Sequence, residues 1–212
     1  IIVFVLPEAS YNMLAIFFVM LGIYNIINKK ENSLFVNIMH GIIAFLVFLT
    51  KQNIGVLYFV AIILAQFLIE KNKKIFVKNV LEQILIQIMM LFILFGYMYI
   101  KGNLYDFINF TFLGMNEFAN QNLYINIKEM VMNLFTFILS IFTIVLTYIK
   151  KIPFNENNIR ILAVISIFMI FIAYPLMNVA HTLIANIIFM IMLSYLLDII
   201  IIRELCDRNK SK

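Results

Sequence analysis

Phe45-Leu46-Val47-Phe48-Leu49-Thr50-Lys51-Gln52-Asn53-Ile54-Gly55 joins two long apolar runs through a few polar residues. One run covers 34–50 and the next 55–69, with a turn of about five residues between them. Crossing a bilayer takes about 20 helical residues, because each rises about 1.5 Å and the hydrocarbon core is roughly 30 Å thick. Both runs approach that length, so the stretch reads as the tip of a helical hairpin in a membrane. So short a turn keeps the Lys51 ammonium close to the bilayer.

The rest of the chain repeats the pattern. Its 212 residues are 64% hydrophobic and 13% charged, with a mean hydropathy of +1.02. Soluble domains are roughly half apolar and a quarter charged, so lipid must solvate most of these side chains. Only helices and closed barrels satisfy the backbone in lipid. Continuous apolar runs, rather than alternating ten-residue segments, select helices. Seven such segments occur, at 11–28, 34–50, 55–69, 80–100, 131–149, 161–174 and 182–202. Before them, Ile1 to Leu6 has no basic leader and reads as the tail of a helix rather than a signal peptide. The expected fold is all-α. It is one polytopic transmembrane bundle over 1–212, with about seven spans plus a partial N-terminal helix, and part of a longer protein.

Charge placement gives the orientation. Lys29, Lys30, Lys71, Lys73, Lys74, Lys78, Lys150, Lys151, Arg160, Arg203, Arg208, Lys210 and Lys212 fall in alternate loops. The other loops hold only Lys51, Lys101 and Lys128. Lysine and arginine accumulate on the cytoplasmic side, so the C-terminus is expected inside and Lys51 outside. The net charge of +5 follows this topology and is not a nucleic-acid signal. Cys206, His40 and His181 are too few and too scattered for a disulfide or a metal motif. No cofactor is implied.

The loop 101–130 carries Tyr105, Phe107, Phe110, Phe112, Phe118 and Tyr124 among polar residues. That mixture suits a headgroup boundary, so one or two short helices are expected on the outer leaflet. They would act as a surface anchor or as one wall of a lipid-substrate pocket. Within the spans, Asn37, His40, Gln66, Gln83 and Gln87 are polar. They read as helix-to-helix hydrogen-bonding groups, with a proton or solute path as the alternative.

Lys51 is the first candidate binding residue. A buried ammonium looks for an anion, and lysine is a compact point charge suited to phosphate; snorkelling to ordinary headgroups is the plainer reading. His181 follows Tyr174-Pro175-Leu176-Met177-Asn178 on the same outer side. Pro175 would kink the sixth segment and aim Tyr174, Asn178 and His181 at an outer vestibule; a helix cap is the plainer role for the histidine. Tyr11 and Asn12 open the first segment there, as belt aromatic and cap. The outer acids are Glu8, Asp106, Glu117 and Glu129, none in an arrangement that specifies acid–base work.

Tyr11-Asn12 opening a span, Thr50-Lys51-Gln52-Asn53-Ile54-Gly55 between two spans, and Tyr174-Pro175 followed by Asn178 and His181 resemble bacterial members of the GT-C glycosyltransferase superfamily. That group includes relatives of the protein mannosyltransferases and of the lipid A aminoarabinose transferase. The resemblance implies an integral protein of a bacterial inner membrane. It implies sugar transfer from a polyprenyl-phosphate donor at the extracytoplasmic face. Lys51 and Gln52 would meet the donor phosphate, and Tyr174, Asn178, His181, Tyr11 and Asn12 would line the same cavity. It also implies a catalytic acid in a first outer loop upstream of Ile1. A transporter or flippase is the alternative, and a non-enzymatic scaffold a third reading.

Overall fold

The computed structural model describes residues 10–28, 34–113, 124–149, 156–174 and 176–210. It begins with α1 (Ser10–Ile27), α2 (Leu34–Thr50), α3 (Gln52–Ile69) and α4 (Lys73–Ile100). A short α5 (Leu104–Ile108) runs into a π-helical turn (Asn109–Leu113), followed by strand β1 (Tyr124–Ile125). Then come α6 (Ile127–Ile149) and α7 (Glu156–Met169), the latter extended by a 3-10 turn (Ile170–Ala173). Strand β2 (Leu176–Met177), α8 (Val179–Ala185) and α9 (Ile187–Lys210) complete the chain. The expected all-α architecture holds apart from the two-residue parallel pairing of β1 with β2. The expected helix tail at Ile1 to Leu6, and Pro175, lie outside the described residues.

Helix ends depart from the apolar segments where a polar residue can cap or continue a helix. The fourth helix begins at Lys73, well before 80, because the Asn72 side chain accepts from the Lys74 and Ile75 amides at 3.0 and 3.4 Å. The last segment is not one rod: α8 and α9 meet at Asn186 with a 48° bend. By length and apolarity α3, α4, α6 and α7 with its 3-10 turn can each cross a membrane, as can the bent α8–α9 pair taken as one span. The expected seven is reached only if α1 and α2 also cross. Each offers an apolar helix of 17 residues, about 25 Å long against a core of roughly 30 Å.

Two helices organise the packing. α2 lies against α1, α3 and α4, while α7 lies against α3, α6 and α9. α3 joins the two groups, and its buried Ile54, Tyr58, Ala61, Ile62 and Ala65 form the middle of the core. α4 is held to this core mainly by polar contacts, for only Asn79 and Gln83 of it are buried. Asn37 donates to Asn79 Oδ1 at 2.9 Å and to Glu82 Oε2 at 2.6 Å. Gln66 and Gln83 exchange hydrogen bonds at 3.2 Å, and Gln87 donates to the Gly41 carbonyl at 2.6 Å. The expected helix-bridging role therefore holds for Asn37, Gln66, Gln83 and Gln87; His40 is buried beside them in α2.

The same contacts fix which loops share an end. Asn37 meets Asn79 and Gly41 meets Gln87, so α2 and α4 run parallel, and Lys51 and Lys101 lie toward the same end. β1 pairs Tyr124 with Leu176 and Ile125 with Met177, tying the end of the long loop to the segment after Tyr174. At the opposite end Tyr148 Oη reaches the Leu68 carbonyl at 3.5 Å. Arg160 there donates to Thr147 Oγ1 at 3.0 Å and to Glu156 at 2.9 Å. Among the described residues, Lys51, Lys101 and the β1–β2 pair thus lie toward one end and Arg160 toward the other.

Candidate functional site

The hairpin tip is tighter than the sequence suggests. Lys51 alone interrupts the helices, with φ −154° and ψ 105°, and α3 starts at Gln52 rather than at Gly55. The Thr50 hydroxyl donates to the Val47 carbonyl at 2.7 Å, finishing α2. Lys51 N–H donates to Val47 O, and Gly55 N–H to Lys51 O, both at 2.9 Å. Polar Gln52 and Asn53 are accommodated because a first helical turn leaves its amides unsatisfied; Asn53 Oδ1 takes up the Ile54 amide at 2.9 Å. A one-residue corner presses the two backbones together. A Cβ on Gly55 would sit 2.2 Å from Phe48 Cα, so glycine is required there.

That corner turns the Lys51 side chain into the bundle. Its Nζ donates to Asn12 Oδ1 at 2.9 Å and to the Ile172 carbonyl at 3.2 Å, and lies 5.5 Å from the Tyr11 ring centre. Three elements thereby meet on one charge: the start of α1, the α2–α3 corner and the 3-10 turn after α7. An ammonium has three donors, so one remains beyond these two partners. Among the described residues it forms no salt bridge with a carboxylate. Burial without a counter-charge lowers its pKa from 10.5 to about 8. Asn12 is fully buried, and its Nδ2 has no hydrogen-bond partner among the described residues. Two neighbouring groups, one charged, can therefore donate to an acceptor.

The remaining candidates form a second group. Asn178 caps α8: its Oδ1 accepts from the His181 amide at 2.9 Å and lies 2.8 Å from His181 Nδ1. The cap of α8 is therefore Asn178 rather than His181, whose amide and Nδ1 both lie against the capping oxygen. Tyr174 is extended, as a residue before proline must be, and its side chain is exposed two residues after Ile172. Gln52 opens α3 half-buried. Lys51, Asn12 and Tyr11 are brought together with Ile172; His181 pairs with Asn178. Of the outer acids, Asp106 is exposed in α5 and Glu129 lies in the first turn of α6. Glu8 and Glu117 lie outside the described residues.

No family model matches the chain, and no curated protein or solved structure matches it. The site must be read from its own geometry.

Sequence reasoning passed over a polar seam on α6. Asn133, Thr136, Ser140, Thr143 and Thr147 are its only fully buried residues, while most of its apolar side chains face outward and only Leu139 and Ile144 pack against the core. Thr136 donates to Asn186 Oδ1, and Asn186 donates to Asn133 Oδ1 at 2.9 Å and the Thr182 carbonyl at 2.8 Å. The signal was legible as spacings of three and four residues, which place all five on one helix face. A search for apolar faces misses it, because in lipid the apolar face is the outer one. The Ile172 carbonyl beside Lys51 had no sequence signal, since any residue supplies a carbonyl.

Proposed function

We propose that this chain is part of a membrane glycosyltransferase-like protein that moves a sugar off a polyprenyl-phosphate carrier at the extracytoplasmic face. All seven segments cross in this reading, with α1 and α2 as short spans, the C-terminus cytoplasmic and the membrane a bacterial inner membrane. The observation that carries the proposal is the Lys51 ammonium. It is drawn inward at a helix corner, with no carboxylate partner among the described residues, next to Asn12 Nδ2, which has no hydrogen-bond partner among them. Breaking a sugar–phosphate bond leaves negative charge on the phosphate, and a fixed cation in a low-dielectric site stabilises that charge as it develops. Tyr11 and Tyr174 flank the approach, and His181, held by Asn178, lies further along the same end. Lys51→Met in the full-length protein, assayed for transfer from a polyprenyl-phosphate sugar, is expected to lose transfer. Undiminished transfer by a normally folded variant would remove the assignment.

One observation favours a transporter or flippase instead. The α8–α9 helix is broken at Asn186, whose side chain ties α8 to the polar seam of α6. Discontinuous helices with polar groups in the bundle are the usual site of transport. Loss of lipid or solute movement in Asn186→Leu, with transfer chemistry absent from the wild type, would select that reading.

A further inference from the structure

The opposite end of the bundle carries a groove along α4. Lys73, Lys74, Val77, Lys78, Leu81, Glu82 and Leu85 line a shallow, open groove of about 540 Å³. Spacings of three and four put these residues on one helix face. The layout is graded along the axis. Three lysines stand at the bottom, and Val77, Leu81 and Leu85 climb above them, all exposed except for half-buried Glu82. From Lys74 to Leu85 the helix rises about 16 Å. That is close to the thickness of one leaflet, half of a roughly 30 Å core.

We propose that this groove binds an anionic glycerophospholipid of the leaflet at the basic end, its phosphate among Lys73, Lys74 and Lys78 and one acyl chain along Val77, Leu81 and Leu85. Charge complementarity argues for this occupant over a zwitterionic lipid. Three lysines and one carboxylate line it: Glu82 Oε1 lies 3.8 Å from Lys78 Nζ, and its Oε2 accepts from Asn37. Glu82 is thus partly engaged on its own side of the groove, leaving an excess of positive charge at headgroup level. The apolar upper wall argues for a lipid over a free anion. α4 buries little against the described residues, which leaves this face open to a lipid chain. The lysines make the choice of headgroup. This site is independent of Lys51, which sits at the other end, and it stands whether the protein transfers sugar or moves solute.

Native mass spectrometry of the full chain, released from detergent with phosphatidylglycerol or phosphatidylcholine, tests it. The wild type is expected to retain phosphatidylglycerol preferentially. The K73Q/K74Q/K78Q variant is expected to lose that preference by about five-fold per lysine removed. E82Q, which keeps the amide-compatible contact to Asn37, is expected to retain the anionic lipid more strongly, an outcome that mere loss of fold cannot produce. A control removing equal charge at positions outside the groove lining, K150Q/K151Q/K210Q, is expected to leave retention unchanged, as is excess inorganic phosphate. Equal retention of the two lipids by the wild type would overturn the proposal. Equal losses in the test and control variants would do the same, as would displacement by phosphate alone.

Discussion

Replacing Gly55 by alanine tests whether the helix corner positions Lys51. The added Cβ would lie 2.2 Å from Phe48 Cα and 2.5 Å from its backbone nitrogen, where ordinary contact begins at 3.4 Å. No rotamer change relieves a clash with backbone, so α2 and α3 must separate by about 1.2 Å at the corner. Overpacking costs about 1–3 kcal/mol, and a contact to backbone belongs at the upper end. A shift at this corner also strains the 2.9 Å bond from Lys51 to Asn12, a charge-assisted hydrogen bond of about 1.5–3 kcal/mol. A loss of about 3 kcal/mol or more corresponds to a melting point lower by roughly 6–12 °C for a chain of this size. Thermal unfolding in detergent, followed by circular dichroism, measures it. Gly96→Ala is the control: nothing lies within 4 Å of its added Cβ, and alanine gains about 1 kcal/mol of helix propensity over glycine. Wild-type melting in Gly55→Ala, or an equal drop in Gly96→Ala, would refute the close-packed corner.

Two further outcomes follow from the same geometry. Lys51 has its pKa lowered to about 8, while an unfolded lysine holds its proton to about 10.4. Between those values the unfolded chain binds more protons, so wild-type stability rises with pH across that window and is flat below it. Lys51→Met is expected to abolish the slope, read from melting points between pH 7 and 10.5; any anion held by the ammonium should be released over the same range. In the Gln66–Gln83 pair, each single change to leucine strands a buried amide and is expected to cost about 1–3 kcal/mol. The double change removes both partners and is expected to cost less than the sum, measured as a double-mutant cycle in detergent.

Much of this protein was legible in its residues. Composition alone forces a lipid-solvated helical chain, because no fold of this size hides so much apolar surface from water. Loop charges grouped Lys51, Lys101 and the Tyr174–His181 segment, and helix packing groups them the same way. Asn37, Gln66, Gln83 and Gln87 announced themselves as bridging groups, because a lone amide in a membrane helix must find a partner. Helix ends were less legible. Apolarity marks where a chain meets lipid, whereas capping marks where a helix stops, and Asn72 and Lys51 separate the two.

The partners of each polar group were settled only by the assembled bundle. That Lys51 meets Asn12 and the Ile172 carbonyl depends on three segments distant in the chain converging on one corner. That α6 turns its hydroxyls inward depends on which face α7 covers. Local pattern records what a residue prefers to touch. Which distant residue satisfies that preference is a property of packing, where close approach at a glycine or a break at Asn186 redirects whole helices.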